Sequence, residues 1–201
     1  TVTLNSSISS SNDAMVFGAI TLGNNVTIDT NASSTTGDLT LGVVTGGSNT
    51  LTLSTGDNVA NTDISASGAI TLGSATVIDT NSTTTNRADI TVAAITGGNN
   101  ALTLTTENNV TGSDVTASGN ISGVTTLTLA SVGGTATLSG DVDVTTLTVG
   151  NTVLNVAFTG NGSSITDAVS FANDGTLILG ASGGTQTYNG GLTTTSVGST
   201  V

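Results

Sequence analysis

Apolar and polar residues alternate one for one in short bursts along this chain. Ile20, Leu22, Val26, Ile28, Leu39, Leu41, Leu51 and Leu53 fall on one side of the alternation, and Thr21, Thr27, Thr40 and Thr52 fall on the other. A period of 2 is the signature of a strand with one face in a core and one in solvent. Between the bursts stand Gly-Gly, Asn-Asn, Thr-Gly and Gly-Asp pairs, residues that accept positive φ or close Asx turns. Strands recur too closely for helices to intervene, and no stretch carries a 3.6-residue period. The Thr, Gly and Asn content opposes helix throughout, so the pattern predicts an all-β chain.

The bursts are themselves repeated. GAITLG occurs at Gly18–Gly23 and again at Gly68–Gly73, and IDTN follows each, at Ile28 and Ile78, a spacing of 50. TGGSNTLTLSTGDNV from Thr45 returns as TGGNNALTLTTENNV from Thr96, a spacing of 51, so one residue is inserted between Asn81 and Thr96. DISASG at Asp63 returns as DVTASG at Asp114, after which a third copy fades. The expected organisation is one domain over 1–201: an edge segment 1–17, a repeat region 18–140 with units from 18 and 68 and a fading copy from 119, and divergent coils 141–201.

Short, evenly spaced strands fit either a sandwich or a solenoid. A sandwich wants large aromatics in its core and has no need of a long repeat; this chain has three Phe and one Tyr. A solenoid stacks like on like, with small apolar ladders inside, Thr ladders outside and Asn ladders at corners, and is the expected fold. TLTLA at Thr126 and TLTVG at Thr146 suggest coils of about 20 residues, hence about ten coils and a rod of roughly 50 Å. A 50-residue unit divides equally well into two coils of 25, so the coil length stays open between 20 and 25.

GAITLG at Gly18, GDLTLG at Gly37 and GTLILG at Gly175 resemble the degenerate repeats of large bacterial surface exoproteins, the filamentous haemagglutinin-type adhesins and autotransporter passengers. That resemblance implies a right-handed parallel β-helix. It also implies an extracellular or cell-surface place, and a role in adhesion or in building a surface filament.

Composition narrows the chemistry. Thr, Ser, Gly and Asn fill more than half of the 201 residues, and there is no Pro, Cys, His or Trp. Disulfide frameworks, zinc and haem sites, and Ser/His or Cys/His triads are therefore excluded. One cation, Arg87, against 13 acids gives a net charge of −12, which cannot neutralise phosphates, so nucleic acid and anionic membranes are not expected partners. No apolar run approaches the ~18 residues of a membrane span, and an export signal is expected to have been removed or to lie outside the chain. Arg87, the one tryptic site, is expected in a laddered strand that a protease cleft does not admit.

Three sets of residues are candidates for function. Phe17, Phe158, Phe171 and Tyr188 cluster toward the ends and would either plug the core or stack subunit on subunit in a filament. Thr50, Thr52, Thr103, Thr105, Thr126, Thr128, Thr146 and Thr148 are candidates for an exposed Thr face that orders water in register with ice. Against that face, the first two pairs flank one turn rather than recur in each coil, and other outward slots hold Ala19, Asp29 and Asp79. Asp29 with Asp79, Asp63 with Asp114, and the D-x-D pair Asp141 and Asp143 raise calcium as a cofactor or a paired-carboxylate polysaccharide hydrolase. Solvated faces and Asx turns explain these acids better, so no metal ligand, catalytic residue or cofactor is assigned. The expected function is structural and non-enzymatic: a self-associating filament subunit or adhesin shaft, with a glycan or cell-surface ligand as a further partner. Ice binding stands second and a polysaccharide-acting enzyme third.

Overall fold

The computed structural model describes residues 1–31, 33, 37–56, 62–80, 87–107, 111–180, 184–195 and 198–200. Among them there is no helix, and every strand pairing is parallel. The chain is a β-solenoid, and each coil lays down three strand segments on three faces.

The first face begins with Val2–Leu4 and Ile20–Leu22, followed by Val44–Thr45 and Ile70–Thr71. It continues through the starts of the long strands Ile95–Thr105, Ile121–Leu138 and Val142–Phe158 and ends on Ser164–Ile165 and Thr187–Tyr188. The second face carries Val26–Asp29, Leu51–Ser54 and Thr76–Asp79, and the third carries Met15–Phe17, Leu39–Leu41, Ile64–Ala66 and Ile90–Val92. The first face is joined by eight successive pairings. At ~4.8 Å per rise these span roughly 38 Å, shorter than the rod expected from 20-residue coils.

Register settles the coil length. Ile20, Val44, Ile70, Ile95 and Ile121 lie over one another, in steps of 24, 26, 25 and 26 residues. Ile121 to Val142 is then a step of 21, and Thr126 lies over Thr146. Each 50-residue sequence unit is thus two coils, and the shorter spacing belongs to the later part of the chain and to its first coil, where Val2 pairs with Ile20 and Ile8 with Ile28. The difference resides in the corner between the second and third faces. Nine residues separate Asp29 from Leu39, Ser54 from Ile64 and Thr105 from Val115, and ten separate Asp79 from Ile90. Ten residues lie between Leu104 and Val115, and only six between Leu129 and Ala136, the matching positions one coil later. The inserted residue falls in the ten-residue corner.

The inward residues form the expected apolar ladders. Ile20, Val44, Ile70, Ile95 and Ile121 are each at most 1 % exposed, as are Ile28, Leu53, Ile78, Leu104 and Leu129 on the second face. Burying a side chain of this size contributes about 1.5–3 kcal/mol. Ile, Leu and Val fill the narrow core through the repeat region, and large rings enter it only in the later coils, at Phe158 and Phe171.

The repeated strings mark corners. The Gly73 that closes the second GAITLG sits against the main chain of Gly46 one coil below, where a Cβ would lie 2.5 Å from the Gly46 carbonyl. In TGGSN and TGGNN the second glycine, Gly47 or Gly98, adopts φ +65° or +58°. The Asn two residues on then caps a carbonyl: Asn49 Nδ2 donates to Leu22 O at 2.9 Å, and Asn100 Nδ2 to Gly97 O at 2.9 Å. These strings are turn chemistry.

Candidate functional site: an aspartate column and threonine faces

Where the long corners meet the third face, the chain places one aspartate per coil. Asp38, Asp63, Asp89 and Asp114 stand in a column, and each holds the coil above it. Asp38 Oδ1 accepts the Asp63 N–H at 3.1 Å, Asp63 Oδ1 the Asp89 N–H at 2.7 Å, and Asp89 Oδ1 the Asp114 N–H at 2.8 Å. Asp114 Oδ1 accepts the Thr135 N–H at 2.7 Å, and Asn155 Oδ1 repeats the motif with the Thr176 N–H at 2.8 Å. These side chains replace the main-chain bond lost where the strand bends.

The lone cation closes this column. Arg87 lies in the corner before Ile90–Val92 and not in a strand, contrary to the expectation from sequence. Its guanidinium donates to Asp89 Oδ2 at 2.9 Å and reaches Asp114 Oδ2 at 3.5 Å. The Asp89 hydrogen bond and the surrounding carboxylates raise the Arg87 pKa further. Asp63, one rung away, is raised above its ordinary value chiefly by burial, then by the Asp89 and Asp38 charges; the Asp89 N–H and Arg87 oppose the shift.

Behind the aspartates runs a buried column at the corner's entrance: Thr30, Thr55 and Thr80 at 0 % exposure and Thr106 likewise. Thr55 Oγ1 donates to Thr62 O at 2.9 Å and Thr106 Oγ1 to Ser113 O at 3.3 Å, so each clasps the returning end of its own corner. Sequence reasoning had singled out Asp63 and Asp114 but passed over Asp38, Asp89 and this Thr column. A signal was present: Asp38, Asp63, Asp89 and Asp114 are spaced 25, 26 and 25 apart, one coil each.

The predicted Thr face divides. Thr27, Thr52, Val77, Thr103, Thr128 and Thr148 stand in one outward column of the second face, so these threonines do recur coil after coil. Thr126 and Thr146 pair beside them, while the Thr50 N–H donates to Asn25 Oδ1 at 2.9 Å. Thr105 leaves the set. It is 7 % exposed, lies over Asp79 and donates to Ser131 O at 3.3 Å, because the strand there turns inward toward the corner. The first face holds a more regular column that sequence reasoning missed: Thr3, Thr21, Thr45, Thr71 and Thr96, continued by Ser122 and Asp143.

Two of the four aromatic candidates are enclosed by their own coils. Phe158 and Phe171 are 0 % exposed and meet edge to face, their centroids 5.9 Å apart at 79°. A ring sealed within one chain cannot touch a neighbouring subunit, so these two plug the core. Tyr188 continues the stack, 6.3 Å from Phe171 at 81°, and donates its hydroxyl to Gln186 Oε1 at 2.8 Å. Burial pushes its pKa up to about 12. Phe17 and Tyr188 are partly buried and keep some surface.

Asp141 and Asp143 also serve as rungs. Asp141 Oδ1 accepts the Gly162 N–H at 2.7 Å and Asp143 Oδ1 the Ser164 N–H at 3.1 Å. Among the described residues no three acidic side chains converge as a metal site, and no helix is long and apolar enough to cross a membrane. Comparison with protein-family models, with curated proteins and with solved structures returns no match.

Proposed function

We propose that this chain is a mechanical element, a segment of β-solenoid shaft in a bacterial surface filament or adhesin, working outside the cell without chemistry of its own. The observation that carries the reading is the continuous parallel pairing of the first face, from Val2 to Tyr188, with Ile or Val stacked inward at every rung from Ile20 through Val142. A parallel stack transmits load along its axis through every inter-coil hydrogen bond, and its length scales with the number of coils. The resemblance of the glycine-bounded strings to surface exoprotein repeats supports the same reading. Strands at either end of such a stack offer free hydrogen-bonding edges, and the next coil comes from the same polypeptide or from a second copy. A glycan or cell-surface ligand would be met by the Thr and Asn faces or by the corners. Electron microscopy of purified protein tests the proposal: rods or end-to-end fibres are expected, and compact particles with no long axis would refute it.

Ice binding is the second reading, favoured by the first-face column of five consecutive threonines, Thr3 to Thr96, which carries no charge. A thermal-hysteresis measurement decides it. A freezing gap that disappears on replacing Thr45 and Thr71 with bulkier residues would support it, and the absence of any gap would remove it.

A further inference from the structure

The chain contains two Asn-Gly dipeptides, Asn161–Gly162 and Asn189–Gly190, and the fold treats them differently. Asn-Gly is the sequence most prone to self-modification, because glycine leaves its own nitrogen unshielded beside the preceding side-chain amide. The reaction needs that nitrogen free to lose its proton and to swing onto the Asn Cγ.

All four residues are exposed, so solvent access does not separate the two sites. Hydrogen bonding does. The Gly162 N–H is held at 2.7 Å by Asp141 Oδ1 from the coil below, and the Asn161 carbonyl accepts the Thr185 N–H at 2.8 Å from the coil above. The dipeptide is pinned from both sides. A fixed negative charge on the amide proton also opposes formation of an amide anion. At the other site the flanking groups are anchored, with Asn189 N–H donating to Ile165 O at 2.9 Å and Gly191 N–H to Tyr188 O at 3.1 Å. The Gly190 N–H between them has no hydrogen bond among the described residues.

We propose that Asn189–Gly190 is a spontaneous deamidation site and that Asp141 holds the identical dipeptide Asn161–Gly162 inert. Solvent hydroxide removes the Gly190 amide proton, and the nitrogen attacks Asn189 Cγ. An N–Cγ bond forms, the Cγ–Nδ2 bond breaks, and Nδ2 departs as ammonia, leaving a succinimide. One water then opens the ring, cleaving either the N–Cγ bond to give aspartate at position 189 or the main-chain bond to give isoaspartate. The isoaspartyl product adds a methylene to the main chain. It does so in a corner where even a Cβ on Gly190 would strike the main chain of Ala168. The pairing of Val169–Phe171 with Leu192–Thr194 therefore loosens as the site ages.

The test is to incubate the full chain in mildly alkaline buffer at body temperature and follow both sites by peptide mass spectrometry with isoaspartyl methyltransferase labelling. In the folded protein, position 189 is expected to convert at least about tenfold faster than position 161, the factor that one charge-assisted hydrogen bond supplies. In concentrated urea the two rates should converge. Asp141→Ala should raise conversion at position 161 toward its urea rate, and Asp141→Asn, which keeps an acceptor, should leave it slow. Equal rates in the folded chain, or an Asp141→Ala variant whose position 161 stays inert while folded, would overturn the proposal.

Discussion

Asp63 gives the sharpest test of the aspartate column, because two substitutions there should act in opposite directions. Its Oδ1 lies 2.7 Å from the Asp89 amide nitrogen, so Asp63→Ala leaves that N–H without its acceptor. A hydrogen bond to a charged group contributes ~1.5–3 kcal/mol, and because this corner is partly exposed the expected loss is about 1 kcal/mol. Asp63→Asn keeps an oxygen at the same place while removing the charge. The raised pKa means that the fold prefers the neutral side chain to the carboxylate, mainly through burial and then through the Asp89 and Asp38 charges. Above the folded pKa the ionised Asp63 therefore costs stability. That cost fades as the pH falls through the folded pKa toward the unfolded value of about 3.9. Asp63→Asn should accordingly melt slightly above the parent at neutral pH, with the gap closing in the acid range, and Asp63→Ala should melt about 2–4 °C below it. Circular-dichroism melts across that range read both effects. Equal losses from the two variants would mean that the carboxylate is not the acceptor that joins the coils.

Three further expectations come from the same architecture. Gly73→Val should lower stability by several times the ~1 kcal/mol of a typical substitution, because its Cβ would lie 2.5 Å from main chain and not from a yielding side chain; chemical denaturation measures it. Trypsin should cut the native chain slowly despite the corner position of Arg87. Ala88 is 0 % exposed with its N–H held by Ser113 Oγ at 3.2 Å, and the Arg87 side chain is held by two carboxylates, so Ser113→Ala should speed cleavage in a timed digest. Association should increase with salt or acid, since a net charge of −12 keeps copies apart; light scattering that stays flat from neutral pH into the acid range would count against this.

The inside and outside of the regularly alternating strands were legible from the sequence alone. Ile20, Leu22, Val26 and Ile28 are buried and Thr21 and Thr27 face outward as the alternation requires, because a pleated backbone sends successive side chains to opposite sides wherever it is extended. The absence of helix and the stacking of like on like followed from composition and repeat. What the alternation could not convey is which residue stands over which. That depends on how many residues each corner consumes, and in the corners the backbone leaves the period-2 conformation.

Thr52 and Thr103 therefore read as neighbours of a turn when they are members of one column, and Thr105 read as exposed when its strand is already bending inward. Asp38, Asp63, Asp89 and Asp114 are far apart in sequence, and the repeated strings and one-coil spacing that mark them do not show what their carboxylates meet. Only the closing of each coil brings their carboxylates onto the next coil's amides, and only there does the single Arg find two of them. The residues themselves fixed what faces inward, through the geometry of the extended chain; the tertiary structure decided what stacks, because stacking is set by corner lengths that local pattern does not encode.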